Sequence, residues 1–430
     1  MKTKLSSKFW IALVLCSLTG QVAWVVENMY LNVFIYKMFA ASAADISLMV
    51  SASAVAATIT TVFMGALSDK VGKRKLFICA GYILWGISIF CFALIRTDVL
   101  GKMFPMVTSA ASLGVSLTII FDCLMTFFGS TANDAAFNAW VTDSTDNTNR
   151  GAAEGINSMM PLVSILVVFG GFMAFDLNRQ ESWTTIFIII GAVVLAIGVG
   201  AIFLVKDVPI EKSADGYLSN VVYGFLPSTV KDNRELYITL VTFIIFNISI
   251  QIYMPYLIIY YEVSLALANY VLIMAPAIIL AAVFTAFWGK AYDKKGFSYS
   301  AVVALFSLAA GFAVLYLCRN TILVFIGSLL MMCGYLSGMA VFGAKIRDFT
   351  PDGYAGRLQG VRIFSQVLVP GVIGPFIGKT ILANAELIVN NDGTTSFVPN
   401  ANIFLGALIA LVPVIIVVLA ERKKYNNLLP

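Results

Sequence analysis

Apolar runs of about 20 residues, the length a helix needs to cross the hydrocarbon core of a bilayer, recur along the whole chain. Twelve can be placed, over 9–36, 46–66, 75–95, 109–139, 155–176, 184–205, 236–261, 266–289, 299–318, 321–344, 357–382 and 401–420. Inside lipid only a helix or a closed barrel satisfies every backbone N–H and C=O, and runs of this length select the helix. Composition agrees: 60% of the 430 residues are hydrophobic and 12% are charged. An ordinary soluble domain carries roughly 25% charged residues. The expectation is an all-α membrane protein with twelve transmembrane helices. The net charge of +5 then bears on orientation in a membrane, and no nucleic-acid partner is expected.

Two loop patterns occur twice. Gly65-Ala66-Leu67-Ser68-Asp69-Lys70-Val71-Gly72-Lys73-Arg74-Lys75 has a degenerate copy in Gly289-Lys290-Ala291-Tyr292-Asp293-Lys294-Lys295-Gly296. Gly65, Asp69 and Gly72 match Gly289, Asp293 and Gly296 at a constant offset of 224 residues. A second pattern, Asp143-Ser144-Thr145, Gly151 and Glu154-Gly155-Ile156, returns as Asp348-Phe349-Thr350, Gly356 and Gln359-Gly360-Val361, here offset by 205. One matched loop could arise by chance; two in the same order in each half point to duplication. The chain therefore reads as two pseudo-symmetric six-helix halves, 1–205 and 236–430, joined by a polar linker over 206–235.

Of the 28 Lys and Arg, all but Lys37, Arg96, Lys102, Arg179, Arg319 and Lys379 fall on the side that holds the Gly65–Lys75 loop. Such an excess in short loops marks the cytoplasmic face. Both termini and the linker are expected there, in an integral, multi-pass protein of the plasma (inner) membrane. Lys2, Lys4 and Lys8 ahead of an apolar run imitate a secretory signal. That run continues to about Tyr36, beyond the roughly 7–15 residues of a signal core, and reads as an uncleaved first helix. Cys16, Cys79, Cys91, Cys123, Cys318 and Cys333 all lie inside apolar runs and read as core residues, with neither disulfide nor metal-site spacing.

The polar residues inside the spans are the candidates for function. At 100° per residue, Ser17, Gln21, Trp24, Asn28 and Asn32 share a narrow face of the first span, with Glu27 on its flank. A polar stripe is costly in hydrocarbon, so it should line a watery cavity; helix-to-helix bonding is the plainer alternative. In the second span Ser51, Ser53, Thr58, Thr60 and Thr61 read as packing residues. In the fourth, Asp122, Thr126, Gly129, Asn133 and Trp140 share a face, and Asp134 lies about 100° away. Asp122 sits deep in the span, a position that marks function unless a helical cation pairs with it. Asp134 has Arg150 as its alternative partner. The seventh span presents Asn247, Gln251 and Met254 before Pro255, which should loosen the helix. Gln251 matches Glu27 at the 224-residue offset. In the eleventh, Gly371, Gly374, Pro375 and Gly378 suit close packing, and Arg357 and Arg362 are expected to pair with Asp348 or lipid phosphate. At the loops, Lys70, Lys73, Arg74 and Lys75 serve orientation, whereas Asp69 needs another explanation.

The pattern G-x-L-x-D-K-x-G-K-R-K over 65–75 resembles the loop signature of the major facilitator superfamily, and the resemblance extends over all twelve spans and the central linker. It implies a transporter in which Asp69 belongs to a gating network with Gly65, Lys70, Gly72 and Arg74, mirrored by Gly289, Asp293 and Gly296. Within the superfamily, Asn28-Met29-Tyr30-Leu31 and Asp134-Ala135-Ala136-Phe137 resemble the glycoside symporters related to the melibiose carrier, in which an acid at Asp134 is implied in sugar and cation binding. The chain departs from that branch: its first-helix acid falls at Val22, its paired second-helix acids near Ala57 and Thr61, and its eleventh-helix lysine near Pro370. A sodium site of that type is thereby disfavoured. With no histidine in the chain, a proton relay must use carboxylates, and Glu27 or Asp122 is favoured for the proton while all three acids stand equal for solute contact.

The function expected is a secondary active transporter for a small polar solute, a sugar or glycoside, by proton-coupled symport. An exporter of amphipathic compounds and a transporter-like sensor are the alternatives. Pro161–Asp176 lacks the Gly-Pro pair usual in drug–proton antiporters, which favours uptake. No nucleophile elbow, phosphate loop or metal-ligand cluster supports an enzyme. No cofactor is expected beyond the coupling proton. The partners expected are a small-molecule solute and the lipid bilayer, and the functional unit a monomer.

Overall fold

A computed structural model of the protein describes residues 5–106, 109–146, 149–207, 222–267, 269–351, 355–390 and 393–426. Twelve helices in it are long and apolar enough to cross a membrane: α1 Ser7–Phe39, α2 Ala43–Val71, α3 Arg74–Phe92, α4 Ala110–Ser144, α5 Arg150–Phe172, α6 Gln180–Leu204, α7 Arg234–Ser264, α8 Val271–Gly289, α9 Tyr292–Leu317, α10 Thr321–Phe349, α11 Gly360–Ile381 and α12 Asn402–Glu421. Local signals set several starts. Ser42 and Asp45 form a reciprocal capping box at α2, Asn320 accepts from the first amides of α10, and Asp207 accepts from the Lys75 amide at the start of α3.

The chain forms two compact units, Met1–Ser219 and Asn220–Pro430. The same order of packing appears in each. In the first, α1 packs on α5 and α6, α2 on α4, and α3 on α6. In the second, α7 packs on α11 and α12, while the α8–α9 stretch packs on α10 and α12. Each unit thus holds six of the twelve spans, packed in the same order. Large apolar side chains on the outer faces, Phe203, Phe287 and Leu317 among them, are exposed because their solvent is lipid.

The duplicated loop glycines both take positive φ: Gly72 (φ 72°, ψ 21°) and Gly296 (φ 75°, ψ 178°). Space is open around both, so the backbone conformation alone demands glycine. Gly72 ends α2 in the left-handed region, and Gly296, the one non-helical residue within Val271–Leu317, kinks the chain where α8 gives way to α9. The break expected over 290–298 is made at that kink, which divides the stretch into two helices, with the second starting earlier than expected.

Other departures from the sequence reading are local. A short helix, Thr97–Met103, precedes α4, and another, Pro227–Asp232, lies in the region read as linker. The rest of that linker over 208–221 falls outside the described residues, as do Lys2 and Lys4. Between α11 and α12, β1 (Leu387–Val389) pairs antiparallel with β2 (Thr395–Phe397), Leu387 opposite Phe397. Four π-helical segments interrupt the spans: Val26–Tyr30, Ser130–Phe137, Tyr260–Ser264 and Phe364–Leu368. At Pro255 the seventh helix tightens into a 3₁₀ turn, Met254–Tyr256, where loosening was expected; the proline breaks the regular α-helical pattern there.

The small residues of α11 do bring two helices together. A Cβ on Gly374 would stand 2.4 Å from Gln251 Cβ, and one on Gly378 would stand 2.5 Å from the Ile252 carbonyl oxygen. Gly374→Val should force α7 and α11 apart and cost about 1–3 kcal/mol. The expected result is a lower melting temperature of the purified protein in detergent, with Gly343→Val, where space is open, as the neutral control.

Candidate substrate and coupling site

Glu27 lies in the π segment of α1, where the helix widens to hold an extra residue per turn. It is 7% exposed and meets α2 and α4. Ser53 donates to Glu27 Oε1 at 2.5 Å, Thr126 donates to the same oxygen at 2.9 Å, and the two hydroxyls stand 2.9 Å apart. Asp122, one turn before Thr126, is 2% exposed and near enough for its charge to act on Glu27. Glu27 Oε2 and Asp122 Oδ1 are both buried with no hydrogen-bond partner among the described residues. No lysine or arginine forms an ion pair with either acid among those residues.

A second polar group surrounds the π segment of α4. Ser130 donates to Asp134 Oδ2 and Asn133 donates to Asp134 Oδ1, both at 3.1 Å, with the Trp24 side chain as a further partner. Tyr82 of α3 reaches Asn133 Oδ1 at 3.0 Å and the Cys16 carbonyl of α1 at 2.7 Å. Trp24 and Trp85 pack with ring centroids 4.9 Å apart, over the space that Gly129 leaves open.

The stripe expected on α1 is divided. Ser17 is buried and donates to Asn157 of α5 at 2.5 Å, so it ties helices together. Gln21 is half-buried and Asn28 exposed. Asn28 donates to the Trp24 carbonyl and Asn32 to that of Asn28; Asn32 is wholly buried. On α7, Asn247 likewise bonds back to the Phe243 carbonyl, and Gln251 lies against Gly374. On α4 the shared face drawn through Asn133 and Trp140 does not survive the π segment, which rotates the residues beyond Gly129. Trp140 instead stacks on Phe137, packs against Phe9 and donates to the Lys206 carbonyl. The alternative pairing of Asp134 with Arg150 is not formed either, since Arg150 donates to Thr142 and Thr145.

Ser53 and Tyr82 were not singled out by the sequence. Ser53 was legible only as one of five small polar residues of the second span. Thr58, bonded to the Ala54 carbonyl, shows how the packing role looks when it is the whole role.

At the loop end of the first unit, Arg74 is the centre. It is 5% exposed, so it does more than orient the chain. Its guanidinium meets Asp69, donates to Asp143 Oδ2 at 3.0 Å, and donates to Ser68 Oγ at 2.5 Å. Ser68 in turn bonds to the Gly65 carbonyl. Lys70 and Gly72 flank this network without entering it through a described bond. In the second unit, the position matching Arg74 is Ser298, and Asp293 is exposed. Asp348, the counterpart of Asp143, accepts from Tyr292 at 2.5 Å. Arg362 has partners of its own, and the side chain of Arg357 lies outside the described residues.

A family model described as Major Facilitator Superfamily matches residues 9–375. The chain belongs to this superfamily. No curated protein sequence matches it. Among solved structures it resembles the nucleoside transporter NupG (13% identity, 97% of this chain and 100% of that one, TM-score 0.68). It also resembles the xylose transporter XylE from E. coli (13%, 95% and 98%, 0.66). A third likeness is to a bacterial homologue of the human lysosomal transporter Spinster (14%, 97% and 96%, 0.64). At these identities the likeness is one of fold. The superfamily protein described here is a membrane transporter of small solutes, and not an enzyme.

The exposures around Arg74 rank its partners. Asp69 is 55% exposed and Asp143 25% exposed, so water and salt screen the first contact more. Asp69→Asn should cost on the order of 1 kcal/mol, and Asp143→Asn about 2 kcal/mol. Denaturation of the two variants in parallel checks the order; equal losses would show that Arg74 does not discriminate between them.

Proposed function

We propose that this superfamily member takes up a small polar solute, a sugar or glycoside, coupled to proton entry. The observation that carries the reading is the pair of buried acids, Glu27 and Asp122, each with an oxygen left without a partner. Leaving carboxylates unmatched in a bilayer interior costs several kcal/mol unless they perform work there. A coupling carboxylate must exchange its proton as its surroundings alternate between dry and wet, and two serine and threonine hydroxyls on one oxygen leave the other available. The neighbouring Asp134, Asn133, Gln21 and Asn28 supply hydrogen-bonding groups for a polar solute, with Asn32 supporting the α1 backbone; Asn247 and Gln251 are assigned to the same task on α7 of the second unit. Support for a polar solute also comes from the fold neighbours, which include a nucleoside transporter and a xylose transporter. A proton is preferred to sodium because Ala57 and Thr61 stand where the related symporters carry their second-helix acids. The network from Gly65 to Arg74, with Gly289, Asp293 and Gly296 opposite it in the repeat, is assigned to gating. The protein is placed in the plasma membrane as a monomer, with both termini in the cytoplasm.

Proteoliposome uptake tests this. Accumulation should follow an imposed pH gradient, and Glu27→Gln or Asp122→Asn should abolish it while solute exchange persists, because exchange moves no net proton. If both variants still accumulate solute against a gradient, coupling through these acids is excluded and facilitated uniport takes its place. Outward pumping of amphipathic cations by the wild type would instead favour the exporter.

Orientation has a separate test. Single cysteines at Lys73 and Ala355 should react only with reagents that reach the cytoplasm, and those at Ser42 and Lys102 only with impermeant reagents added outside. The reverse pattern would invert the assignment.

A further inference from the structure

Tyr82 has one hydroxyl proton and faces two acceptors, the Cys16 carbonyl at 2.7 Å and Asn133 Oδ1 at 3.0 Å. One proton serves one acceptor well; when it goes to the Cys16 carbonyl, the phenol and amide oxygens are left with lone pairs turned on each other. All the groups are enclosed: Tyr82 is fully buried and Asn133 is 3% exposed, so no bulk water relieves the conflict. The space is bounded on α1 by Gly20, where a Cβ would come 2.5 Å from Asn133 Oδ1.

An asparagine amide has two orientations of nearly equal shape that differ in which end donates. Rotated by 180°, Asn133 places its N–H beside Tyr82 and its oxygen beside Asp134 Oδ1. Every bond in the row is matched in that orientation provided Asp134 carries a proton on Oδ1. The carboxyl O–H donates to the amide oxygen, the amide N–H to the phenol oxygen, and the phenol O–H to the Cys16 carbonyl. With Asp134 ionised, the unrotated amide donates to the carboxylate, and the surplus acceptor stays at Tyr82. Ser130 and the Trp24 side chain serve Asp134 in both arrangements, since Ser130 bonds to Oδ2.

We propose that the Asn133 amide is a two-position relay whose orientation follows the proton on Asp134, and that Tyr82 is the positioning residue that passes this state to α1. The proposal rests on the proton-coupled reading above and extends it to a third acid and to a residue on α3. The titratable groups acting on Asp134 and Tyr82 are Glu27 and Cys16 of α1; the charges of α2 stand at its ends, Asp45 in the first turn and Asp69 and Lys70 in the last. Because the row joins α4, α3 and α1, a proton bound on α4 changes the bond that ties α3 to α1.

Infrared difference spectra of the purified protein in lipid nanodiscs, acid minus alkaline, test the relay. Asp134→Asn should remove one carboxyl C=O band. Tyr82→Phe should leave that band present but shifted in frequency, since the amide loses its acceptor. The pH for half-maximal gradient-driven accumulation should move by about one unit toward acid, the tenfold that roughly one hydrogen bond supplies. Exchange at fixed pH should persist in this variant, which separates a positioning role from a structural one. Asn133→Ala gives a second reading of the band should Tyr82→Phe not fold. The relay is overturned if Asp134→Asn removes no band, or if the folded Tyr82 or Asn133 variant keeps the wild-type band position. If the wild type shows no gradient-driven accumulation, proton coupling fails as a function while the band still decides the relay.

Discussion

A polar atom inside a bilayer has no water to fall back on, so a neighbouring helix or the helix's own backbone must meet it. The unit Met1–Ser219 is arranged around that requirement. Ser53 of α2 and Thr126 of α4 converge on one oxygen of Glu27, and Tyr82 of α3 bridges Asn133 of α4 to the α1 backbone. Four helices are thus fixed against one another by polar contacts at a few points, and apolar packing fills the rest. The packing needs glycine wherever backbones approach most closely: a Cβ on Gly86 of α3 would stand 2.6 Å from the Leu195 amide of α6. Those close approaches bring the polar groups within hydrogen-bonding distance.

The loop ends of the two units solve one problem with different residues. Arg74 serves Asp69, Asp143 and Ser68 together, a task suited to a guanidinium with five donors in a rigid fork. Serine occupies the matching position of the second unit, and the work is divided. Tyr292 takes Asp348, while Lys345, 6% exposed, pairs with Glu421 of α12 at 2.6 Å and lies 3.9 Å from the Phe297 ring centre. A lysine is a point charge, so it needs an acid on one side and an aromatic face on the other to be buried at all. The duplication therefore preserves the location of a cationic clamp more closely than its chemistry.

Much of this was legible in the sequence, and the parts that were not share a cause. Span positions follow from length and apolarity, which vary slowly along the chain, so errors there are a few residues. Gly72 and Gly296 could be matched because a positive φ leaves few other residues acceptable. The faces of α1 and α4 were drawn with a constant 100° per residue, and the segments Val26–Tyr30 and Ser130–Phe137 break that constant. No residue type announces a π turn, so Asn133 and Trp140 were placed together when the structure separates them. Arg74 could be named both as an orienting cation and as a member of the gating network, but not as its centre, since charge alone does not distinguish a buried guanidinium from an exposed ammonium. Ser53 stayed hidden for the related reason that a hydroxyl bonding to its own helix and one bonding to an acid look identical in a sequence.

The asparagines of α1 show how the wide turn and the acid depend on each other. Widening a helix displaces carbonyls from their regular i−4 partners, and those carbonyls need new donors. Asn28 supplies one to the Trp24 carbonyl at 2.8 Å and Asn32 another to the Asn28 carbonyl at 3.0 Å, both across the segment that carries Glu27. The backbone of the irregular turn is satisfied by amides that are themselves neutral. Glu27 is thereby not required to repair its own helix, and its second oxygen remains without a partner. The Asn28-to-Asn32 spacing, read from the sequence as a cavity wall, also supports the turn that leaves a neighbouring carboxyl available.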